Sequence, residues 1–356
     1  MKIIRITLFY PILQSVNVSA LSKTPTRSSI MRAIVIKEYG EPDVLSIEER
    51  PDPQPKSGHV LVEVRAFGLN RAETYMRSGA WGDVAEITGI ECVGFVKADP
   101  AGRFAPGQKV AGLMGGMGRL INGSYAELVN IPATNVVAIA TDLPWEDFAA
   151  ISESYATAWS AVRENLGLLP GQTLVVRGAT SSLGQAAINI AVGLGARVIA
   201  TTRNARRREA LESLGASEVL VEQAELSRRV RELHPSGVDG VLDVIGNSTV
   251  LDSLAMTRRG GHACVVGLLD HVASIPDFNP LFQMPHAGVH FSGFVSWSLG
   301  TPDVPLSAIP FQGIVDRVAG GAYKARPAKV FRFEQIREAH RLMESNEAGG
   351  KIVVRL

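Results

Sequence analysis

Cysteine is scarce in this chain: among 356 residues it occurs only at Cys92 and Cys264. Two distant cysteines do not indicate a disulfide framework, and they cannot supply a structural zinc lobe that needs four thiolates. We therefore expect a reduced compartment, with the cytoplasm as the predicted location.

Long apolar runs and an excess of charge of either sign are also missing. No stretch reaches the roughly 18 consecutive apolar residues that a membrane-spanning helix needs, so no membrane association is predicted. The formal net charge is +1, which gives no overall field to attract nucleic acid or an anionic membrane. The length favours two domains of ordinary size in a globular protein.

Acidic residues are absent from positions 1–30, where the charged side chains are Lys2, Arg5, Lys23 and Arg27. An upstream start codon or a disordered leader is the favoured interpretation, since Met31 opens a regular strand-like run. A mitochondrial-type presequence is the alternative, and a secretory signal fits less well because Arg5 interrupts its apolar core. These residues are therefore left out of the predicted fold.

Two different sequence patterns divide the rest of the chain. Residues 31–150 alternate short apolar runs with Pro/Gly-rich turns, which is typical of a β-rich domain. In residues 151–290, short and almost continuously apolar strands alternate with helices, which predicts a parallel sheet covered on both faces. Residues 291–356 are expected to return to the first domain, with the final strand at 351–356. The predicted fold class is α/β, with a Rossmann-type doubly wound parallel sheet inserted into the β-rich domain.

The segment GATSSLG at 178–184 follows the first predicted strand of the parallel sheet. A dinucleotide turn reads G-x-G-x-x-G, and the aligned positions here are Ala179, Ser181 and Gly184. Gly184 suits close helix–strand packing, and the helix that follows directs its positive end at an anion. Taken alone, the segment is either an ordinary βα loop or a pyrophosphate site in which a Thr180 or Ser181 hydroxyl bonds a phosphate oxygen. The residues predicted to bind a cofactor here are Gly178, Ala179, Thr180, Ser181, Ser182, Leu183 and Gly184.

The next predicted strand ends in TTRNARRRE at 201–209, with arginines and no acid at its tip. An NAD site usually places Asp or Glu about 20 residues past the first turn, whereas a guanidinium can bind a 2′-phosphate. The alternative is a chance basic cluster on a solvated helix N-terminus, which the helix dipole disfavours. The segment predicts NADP(H) as the cofactor, bound by Thr202, Arg203, Asn204 and Arg207.

These features belong to a longer pattern that resembles the medium-chain dehydrogenase/reductase superfamily, specifically its zinc-independent quinone oxidoreductase (zeta-crystallin-like) branch. The similarity extends over residues 31–356. It is carried by GLNRAETYMRSG at 68–79, GIECVGFV at 89–96, FAPGQKVAG at 104–112, GSYAEL at 123–128, the 174–184 turn and AGGKIVV near the end. The resemblance implies that the β-rich part is a GroES-like catalytic domain.

The resemblance also implies that no metal is bound. In the superfamily's zinc alcohol dehydrogenases, a cysteine and a Gly-His-Glu segment supply ligands, and Asn70 and Gly89-Ile90-Glu91 occupy those places here. Asparagine and isoleucine cannot bind zinc in those roles. Glu91 is expected to need an ion-pair partner if it is buried, with Arg77 or Arg71 as candidates.

The same resemblance assigns the remaining site residues. Asn70 is expected to hold the nicotinamide ribose or the acceptor oxygen, and Tyr75 to donate a hydrogen bond or line the pocket. A turn asparagine and a core-edge tyrosine are the alternatives for these two catalytic candidates. Thr157 matches a threonine that approaches the nicotinamide. Further matches to the family's cofactor site are Gly246, Asn247, Val266, Gly267, Phe294, Asn346 and Lys351.

Two departures from the family pattern affect cofactor binding. Ser181 and Ser182 occupy positions where glycine is common. Glu222 stands near a tyrosine that in some relatives helps to hold the 2′-phosphate, so phosphate selectivity rests on Arg203 and Arg207.

The function implied by the resemblance is NADPH-dependent, zinc-free transfer of hydride to a quinone or an α,β-unsaturated carbonyl. A cofactor-binding but non-catalytic relative, crystallin-like or regulatory, is the alternative, and a zinc alcohol dehydrogenase fits less well. A homodimer is expected through the edge of the nucleotide-binding sheet, around residues 289–297. Loop 113–124 is a candidate lid over a substrate pocket between the domains, lined by Tyr75, Trp81, Met114, Met117 and Phe294.

Overall fold

The computed structural model describes residues 29–270, 272, 274–275, 278–285 and 288–356. The predicted leader lies outside these residues except for its last two positions. Among the helices of the described chain, none combines the length and the apolar character required to cross a bilayer.

The β-rich part begins with seven strands and one helix, α1 (Arg71–Ser78). The strands are β1 (Ile30–Ile36), β2 (Leu45–Pro51), β3 (His59–Leu69), β4 (Glu91–Ala98), β5 (Lys109–Leu113), β6 (Leu128–Pro132) and β7 (Val136–Ala138). Strand β3 is long because its sequence alternates: Val62 and Val64 are buried, while Glu63 and Arg65 point outward.

Two strands from the end of the chain complete this sheet, β14 (Lys329–Arg332) and β15 (Ile352–Arg355). In the described residues, the sheet order is β14-β15-β3-β4-β5-β7 with β6 also paired to β3, and β1 and β2 form a separate ribbon. Strand β15 runs antiparallel to β3 with Ile352 opposite Leu69. This register brings the residue before β15 next to the residue after β3.

The second sheet is parallel, and helices connect its strands. Its strands are β8 (Thr173–Arg177), β9 (Arg197–Thr202), β10 (Glu218–Val221), β11 (Val238–Asp243), β12 (Thr257–Val265) and β13 (His290–Gly293). Their order is β10-β9-β8-β11-β12-β13, and each neighbouring pair is parallel. The order reverses between β8 and β11, as in a doubly wound dinucleotide-binding sheet. The predicted fold class is confirmed.

The remaining helices of the described chain cover the parallel sheet, lie between the two sheets or, in the case of the last one, pack against the first sheet. They are α2 (Trp145–Ala149), α3 (Ser152–Trp159), α4 (Ser182–Gly193), α5 (Arg208–Ser213), α6 (Leu226–Leu233), α7 (Val250–Met256), α8 (Pro280–Gln283), α9 (Phe311–Ala319) and α10 (Ile336–Ser345).

Helix α3 lies between the two sheets. Its Ala156 and Ala158 are fully buried in one core cluster that includes Val93 of β4 and Ala187 of α4. The small alanines let the helix approach both sides closely. Polar residues on α3 are therefore held in the cleft between the sheets.

Candidate active site

The predicted cofactor residues follow consecutive strands of the parallel sheet at one edge. Residues 178–184 follow β8, Arg203 follows β9, Gly246 follows β11 and Gly267 follows β12. Ligands of open parallel sheets bind outside the carboxyl ends of the strands, at the point where the strand order reverses. The structure therefore brings these segments together at a binding edge.

The turn after β8 fits a dinucleotide in its backbone. Gly178 has φ +72°, in the left-handed region that favours glycine. A β-carbon at Gly184 would lie 2.7 Å from Ala179 Cα and from the Gly178 carbonyl oxygen, so only glycine allows this packing. The first N–H groups of α4, at Ser182 and Leu183, have no carbonyl four residues earlier in the helix, and they provide donors for an anion.

The Ser181 hydroxyl makes its hydrogen bonds within the turn. The Ser181 hydroxyl donates to the Gly178 carbonyl oxygen at 2.8 Å and accepts from the Gly184 N–H at 3.0 Å. It is therefore the N-cap of α4, and its hydrogen bonds are used inside the turn. Ser181 replaces glycine by stabilising the bend with its side chain.

The residues after β9 form a short turn with two exposed arginines. Asn204 N–H donates to the Thr202 hydroxyl at 3.1 Å, and the Asn204 side chain accepts from Arg206 N–H at 3.0 Å. Arg203 is exposed. Arg207 donates to the Glu347 carbonyl oxygen at 3.0 Å and lines a cavity of about 540 Å³ that reaches Thr180.

Glu222 follows β10 beside these arginines, and its charge is compensated. It forms an ion pair with Arg177, whose side chain is 1% exposed, and it accepts from the Thr201 hydroxyl at 2.7 Å. Arg177 also forms an ion pair with Asp252 at 3.0 Å. Burial alone would lower the pKa of Arg177, but these carboxylates raise it, so the guanidinium stays charged. A phosphate near Arg203 would not face an unpaired Glu222 carboxylate.

The loops after β11 and β12 approach each other closely. A β-carbon at Gly267 would collide with the Val244 carbonyl oxygen, and Gly246 has φ +126°. The Asn247 side chain donates to the Val272 carbonyl oxygen at 2.7 Å. Val266 N–H donates to the Asp243 carbonyl oxygen at 2.9 Å. The glycines at 246 and 267 therefore allow the two loops to pack directly against each other.

Tyr75 links the catalytic domain to the nucleotide-binding sheet. Its hydroxyl donates to the Leu268 carbonyl oxygen at 3.3 Å, directly after Gly267. Burial raises the pKa of Tyr75, so its hydroxyl is neutral and keeps its proton at physiological pH. The ring of Trp81 lies 5.6 Å from the Tyr75 ring, and Phe294, after β13, is 7% exposed.

The loop predicted to be a lid is mostly anchored. Met117 is 1% exposed and belongs to the core of the first sheet, so it does not line the pocket as predicted. Gly123 N–H donates to the Ile87 carbonyl oxygen at 2.7 Å. Only the tip of the loop protrudes, and Leu120 there is 82% exposed. The Arg119 guanidinium carbon lies 5.8 Å from the centroid of the Trp81 ring.

A buried ion pair lies beneath Asn70. Lys351 pairs with Glu91, and their side chains are 4% and 0% exposed. Lys351 Nζ donates to Asn70 Oδ1 at 2.6 Å, and Asn70 Nδ2 donates to Glu91 Oε1 at 2.9 Å. Burial alone would lower the pKa of Lys351, but the carboxylates of Glu91 and Glu153 outweigh it and raise that pKa. Lys351 is predicted to contact the cofactor. In the structure, its ammonium group fixes the orientation of the Asn70 side chain.

The predicted partners of Glu91 are wrong. Arg77 pairs with Glu344, and Arg71 bonds the side chain of Asn346, which ends α10 in a left-handed conformation. Both arginines point from α1 toward α10, because the register of β15 against β3 fills the space beside Glu91 with Lys351.

Two further carboxyl groups adjoin this pair, and the sequence analysis missed both. Glu73 accepts from Asn70 N–H at 2.9 Å, and burial raises the pKa of Glu73 to about 8. Glu153 Oε1 accepts from the Thr157 hydroxyl at 2.8 Å, and Glu153 N–H donates to Glu91 Oε2 at 2.8 Å. The spacing of Glu153 and Thr157, four residues apart on one helix, was the available signal.

The described residues contain no group of three or more His, Cys, Asp or Glu side chains arranged to hold a metal ion. Ile90, in a place where zinc relatives carry a ligand, is 5% exposed in the apolar core. Cys92 is fully buried, and burial raises the pKa of its thiol.

Known proteins resemble the chain in both parts. Residues 56–141 match the alcohol dehydrogenase GroES-like domain family, and residues 182–305 match the zinc-binding dehydrogenase family. The chain is 30% identical over 258 residues to quinone oxidoreductase of Homo sapiens, covering 68% of this chain and 74% of that protein.

Solved structures resemble the chain over most of its length. The fold matches a mycobacterial protein complexed with NADPH with a TM-score of 0.80 and 25% identity, over 92% of this chain and 100% of that one. An NAD-dependent alcohol dehydrogenase matches with a TM-score of 0.76 and 28% identity, over the same shares.

A GroES-like domain joined to a dinucleotide-binding sheet, with the cleft between them, defines an oxidoreductase that uses a pyridine nucleotide. The chain belongs to the quinone oxidoreductase branch of the medium-chain dehydrogenase/reductase superfamily. The predicted family is confirmed.

Proposed function

We propose that this protein is an NADPH-dependent, zinc-free oxidoreductase that transfers hydride to a quinone or an α,β-unsaturated carbonyl. The observation that carries the proposal is the cleft itself. On one side lies the glycine-containing turn at 178–184, and on the other lie Asn70 and Tyr75, bridged to the nucleotide sheet by the Tyr75–Leu268 hydrogen bond. The relative named quinone oxidoreductase supports the acceptor class.

The cofactor preference is proposed from charge. Arg203 and Arg207 stand at the tip of β9, where a 2′-phosphate would lie, and Glu222 is paired with Arg177. The mycobacterial relative complexed with NADPH supports the same choice. When bound, NADPH supplies the hydride; the turn binds its pyrophosphate through backbone N–H groups, and Thr157 and Asn70 orient the reacting end.

The acceptor is proposed to lie between Tyr75 and Asn70. Negative charge that develops on its oxygen can be stabilised there by hydrogen-bond donors in a site that excludes water. The Asn70 side-chain amide is fixed on both sides, because its oxygen accepts from Lys351 and its nitrogen donates to Glu91. The other N–H of this amide points to Glu73, so Asn70 is proposed to fix the wall of the site and Tyr75 to be the donor to the acceptor oxygen.

The direct test mixes purified protein with NADPH and either 1,4-naphthoquinone or a short enal, and follows nicotinamide absorbance. Consumption that depends on acceptor supports the proposal. Tight NADPH binding without turnover of any acceptor in a broad panel would instead support a non-catalytic, crystallin-like protein. Elemental analysis of the same preparation tests the zinc-free part, since an alcohol dehydrogenase would retain about one zinc per site.

A homodimer through strand β13 is also proposed. This strand is at the edge of the parallel sheet, and apolar side chains near it are exposed: Phe291 at 39%, Val295 at 45% and Trp297 at 62%. Sedimentation of the wild type and of Trp297→Glu distinguishes a dimer from a monomer. A cytoplasmic location is proposed, with the mitochondrion as the alternative, and fractionation of the full chain decides between them.

A further inference from the structure

Three carboxyl groups and one lysine share the floor of the cleft. Glu73, Glu91 and Glu153 surround Lys351, so full ionisation would leave two uncompensated negative charges in a buried region. Burial of unpaired charge is costly enough that a group usually keeps its proton instead. Since Glu91 is the direct partner of Lys351, neutrality requires a proton on each of the other two carboxyl groups, and burial raises the pKa of both Glu73 and Glu153.

Glu153 is the member of this set that is not fully buried. Its side chain keeps accessible surface, whereas its neighbours on α3, Ser152 and Ser154, are each 1% exposed. Glu73 is fully buried and bonded to the backbone of Asn70 and Ile90. Helix α3 packs against strands β4 and β5 on one side and helix α4 on the other, so Glu153 lies where the two parts of the chain meet.

The carboxyl group is also oriented. Oε1 of Glu153 accepts from the Thr157 hydroxyl at 2.8 Å, and among the described residues no donor bonds Oε2. Oε2 is therefore the oxygen that can carry a proton and offer it to a molecule in the cleft. Thr157 lies one turn further along α3, on the same face.

We propose that Glu153 is the catalytic acid that protonates the reduced acceptor. This inference rests on the function proposed above. Hydride transfer leaves a negative charge on the acceptor oxygen, as a quinol monoanion or an enolate. The O–H bond of Glu153 breaks, a new O–H bond forms on the product, and Glu153 becomes a carboxylate; an enol product then tautomerises. Water that enters after product release returns the proton to Glu153.

The environment of Glu153 suits this role. The charged and titratable groups facing it are Glu91 from β4 and Lys351 before β15, and Glu73 from α1 acts on the same lysine. Burial, with a smaller contribution from Glu91, raises the pKa of Glu153, and Lys351 opposes the rise. A raised pKa keeps the acid form available nearer to neutral pH.

The main test compares Glu153→Gln with Glu164→Gln, the same chemical change at an exposed position eleven residues along the chain. We expect Glu153→Gln to lower kcat by about 10²- to 10⁴-fold, the range for loss of a general acid, with KM for NADPH changed by less than about twofold. Glu164→Gln should match the wild type. Full turnover by Glu153→Gln would overturn the proposal.

The pH profile separates an acid from a structural group. The acid form exists below the pKa of Glu153, so wild-type kcat should fall as pH rises through that pKa. This falling limb of the pH profile, the decrease of kcat with rising pH, should be absent in Glu153→Gln. It should return, at lower kcat, in Glu153→Asp, which restores a carboxyl group. If Glu153→Gln kept the limb, another group would be the acid. Unchanged melting and NADPH binding confirm that the variants are folded.

A measurement without turnover keeps this test independent of the proposed function. Infrared difference spectra of the wild type minus Glu153→Gln, recorded over a series from acidic to neutral pH, should contain a protonated-carboxyl stretch that shifts in D₂O and disappears as the pH rises. Its absence would overturn the assignment. If the band is present but the wild type reduces no acceptor, the proposed reaction fails while the buried proton on Glu153 stands.

Discussion

The two walls of the cleft hold their polar groups in opposite ways. The nucleotide wall is a turn of small residues, 178–184, that offers backbone N–H groups and no ionised side chain. The floor of the catalytic wall is a set of buried charges around Lys351. Backbone dipoles need no partner ion, whereas buried charges are stable only while they are paired. Substitutions in the nucleotide wall should therefore mainly weaken cofactor binding. Substitutions in the catalytic wall should mainly lower the free energy of unfolding.

The largest effect is expected from removing the buried cation. Lys351→Met leaves Glu91, with a side chain 0% exposed, without its partner. Breaking a buried pair by removing one member costs about 3–5 kcal/mol in the free energy of unfolding. Urea denaturation of wild type and variant measures the difference.

The matched control is Lys97→Met, which breaks an ion pair with Asp52 in which the lysine side chain is 46% exposed. Exposed pairs contribute about 0–1 kcal/mol, so this variant should unfold almost as the wild type does. Equal losses in the two variants would mean that the catalytic floor does not depend on charge pairing.

The same contrast explains what could be predicted from sequence. The parallel sheet was predictable because apolar strands and helices alternate locally between residues 173 and 265. The turn was predictable because its function depends on consecutive residues, above all Gly184. The role of Glu153 was not predictable, because its neighbours Glu91 and Lys351 lie far from it in the chain.

The prediction of an ion-pair partner for Glu91 was wrong for a related reason. Arg77 and Arg71 are closer in sequence to Glu91, yet Lys351 occupies the space because Ile352 pairs with Leu69. Strand register is a tertiary property, and a single sequence does not contain the pairing of its third and last strands. Charge partners across such a pairing are therefore the least predictable part of the site.

A smaller effect, on both stability and binding, is expected at the turn. Gly184→Ala places a β-carbon 2.7 Å from Ala179 Cα, which is backbone and cannot rotate away. Forced overpacking of this kind costs about 1–3 kcal/mol, and the displaced N–H groups should weaken NADPH binding by about tenfold or more. Fluorescence titration of NADPH, together with urea denaturation, measures both.

Gly313→Ala in α9 provides the comparison, because a β-carbon there would meet only Pro310 Cβ, at 4.0 Å. Replacing glycine by alanine inside a helix should stabilise by up to about 1 kcal/mol and leave NADPH affinity unchanged. If Gly184→Ala behaved like Gly313→Ala, the turn would not be the pyrophosphate site.

The arginines test whether the nucleotide wall uses charge at its outer end. Arg203→Ala should weaken NADPH binding by about tenfold, since a charge-assisted hydrogen bond to a phosphate contributes about 1.5–3 kcal/mol. Binding of NADH, which lacks the 2′-phosphate, should hardly change. Arg206→Ala, an exposed change in the same turn, is the control. Equal weakening of NADPH and NADH by Arg203→Ala would contradict a phosphate contact.

The smallest effect is expected at Ser181, where helix capping and phosphate binding give different predictions. As the N-cap of α4, its hydroxyl bonds Gly178 and Gly184, so Ser181→Ala should destabilise by about 1 kcal/mol and Ser181→Gly by only a few tenths. Neither change should weaken NADPH binding by more than about twofold, because the anion is bound by backbone N–H groups. Thermal unfolding and NADPH titration of both variants measure this. A similar loss of affinity in both, with stability unchanged, would mean that the hydroxyl contacts phosphate when the cofactor binds and that the serine is more than a replacement for glycine.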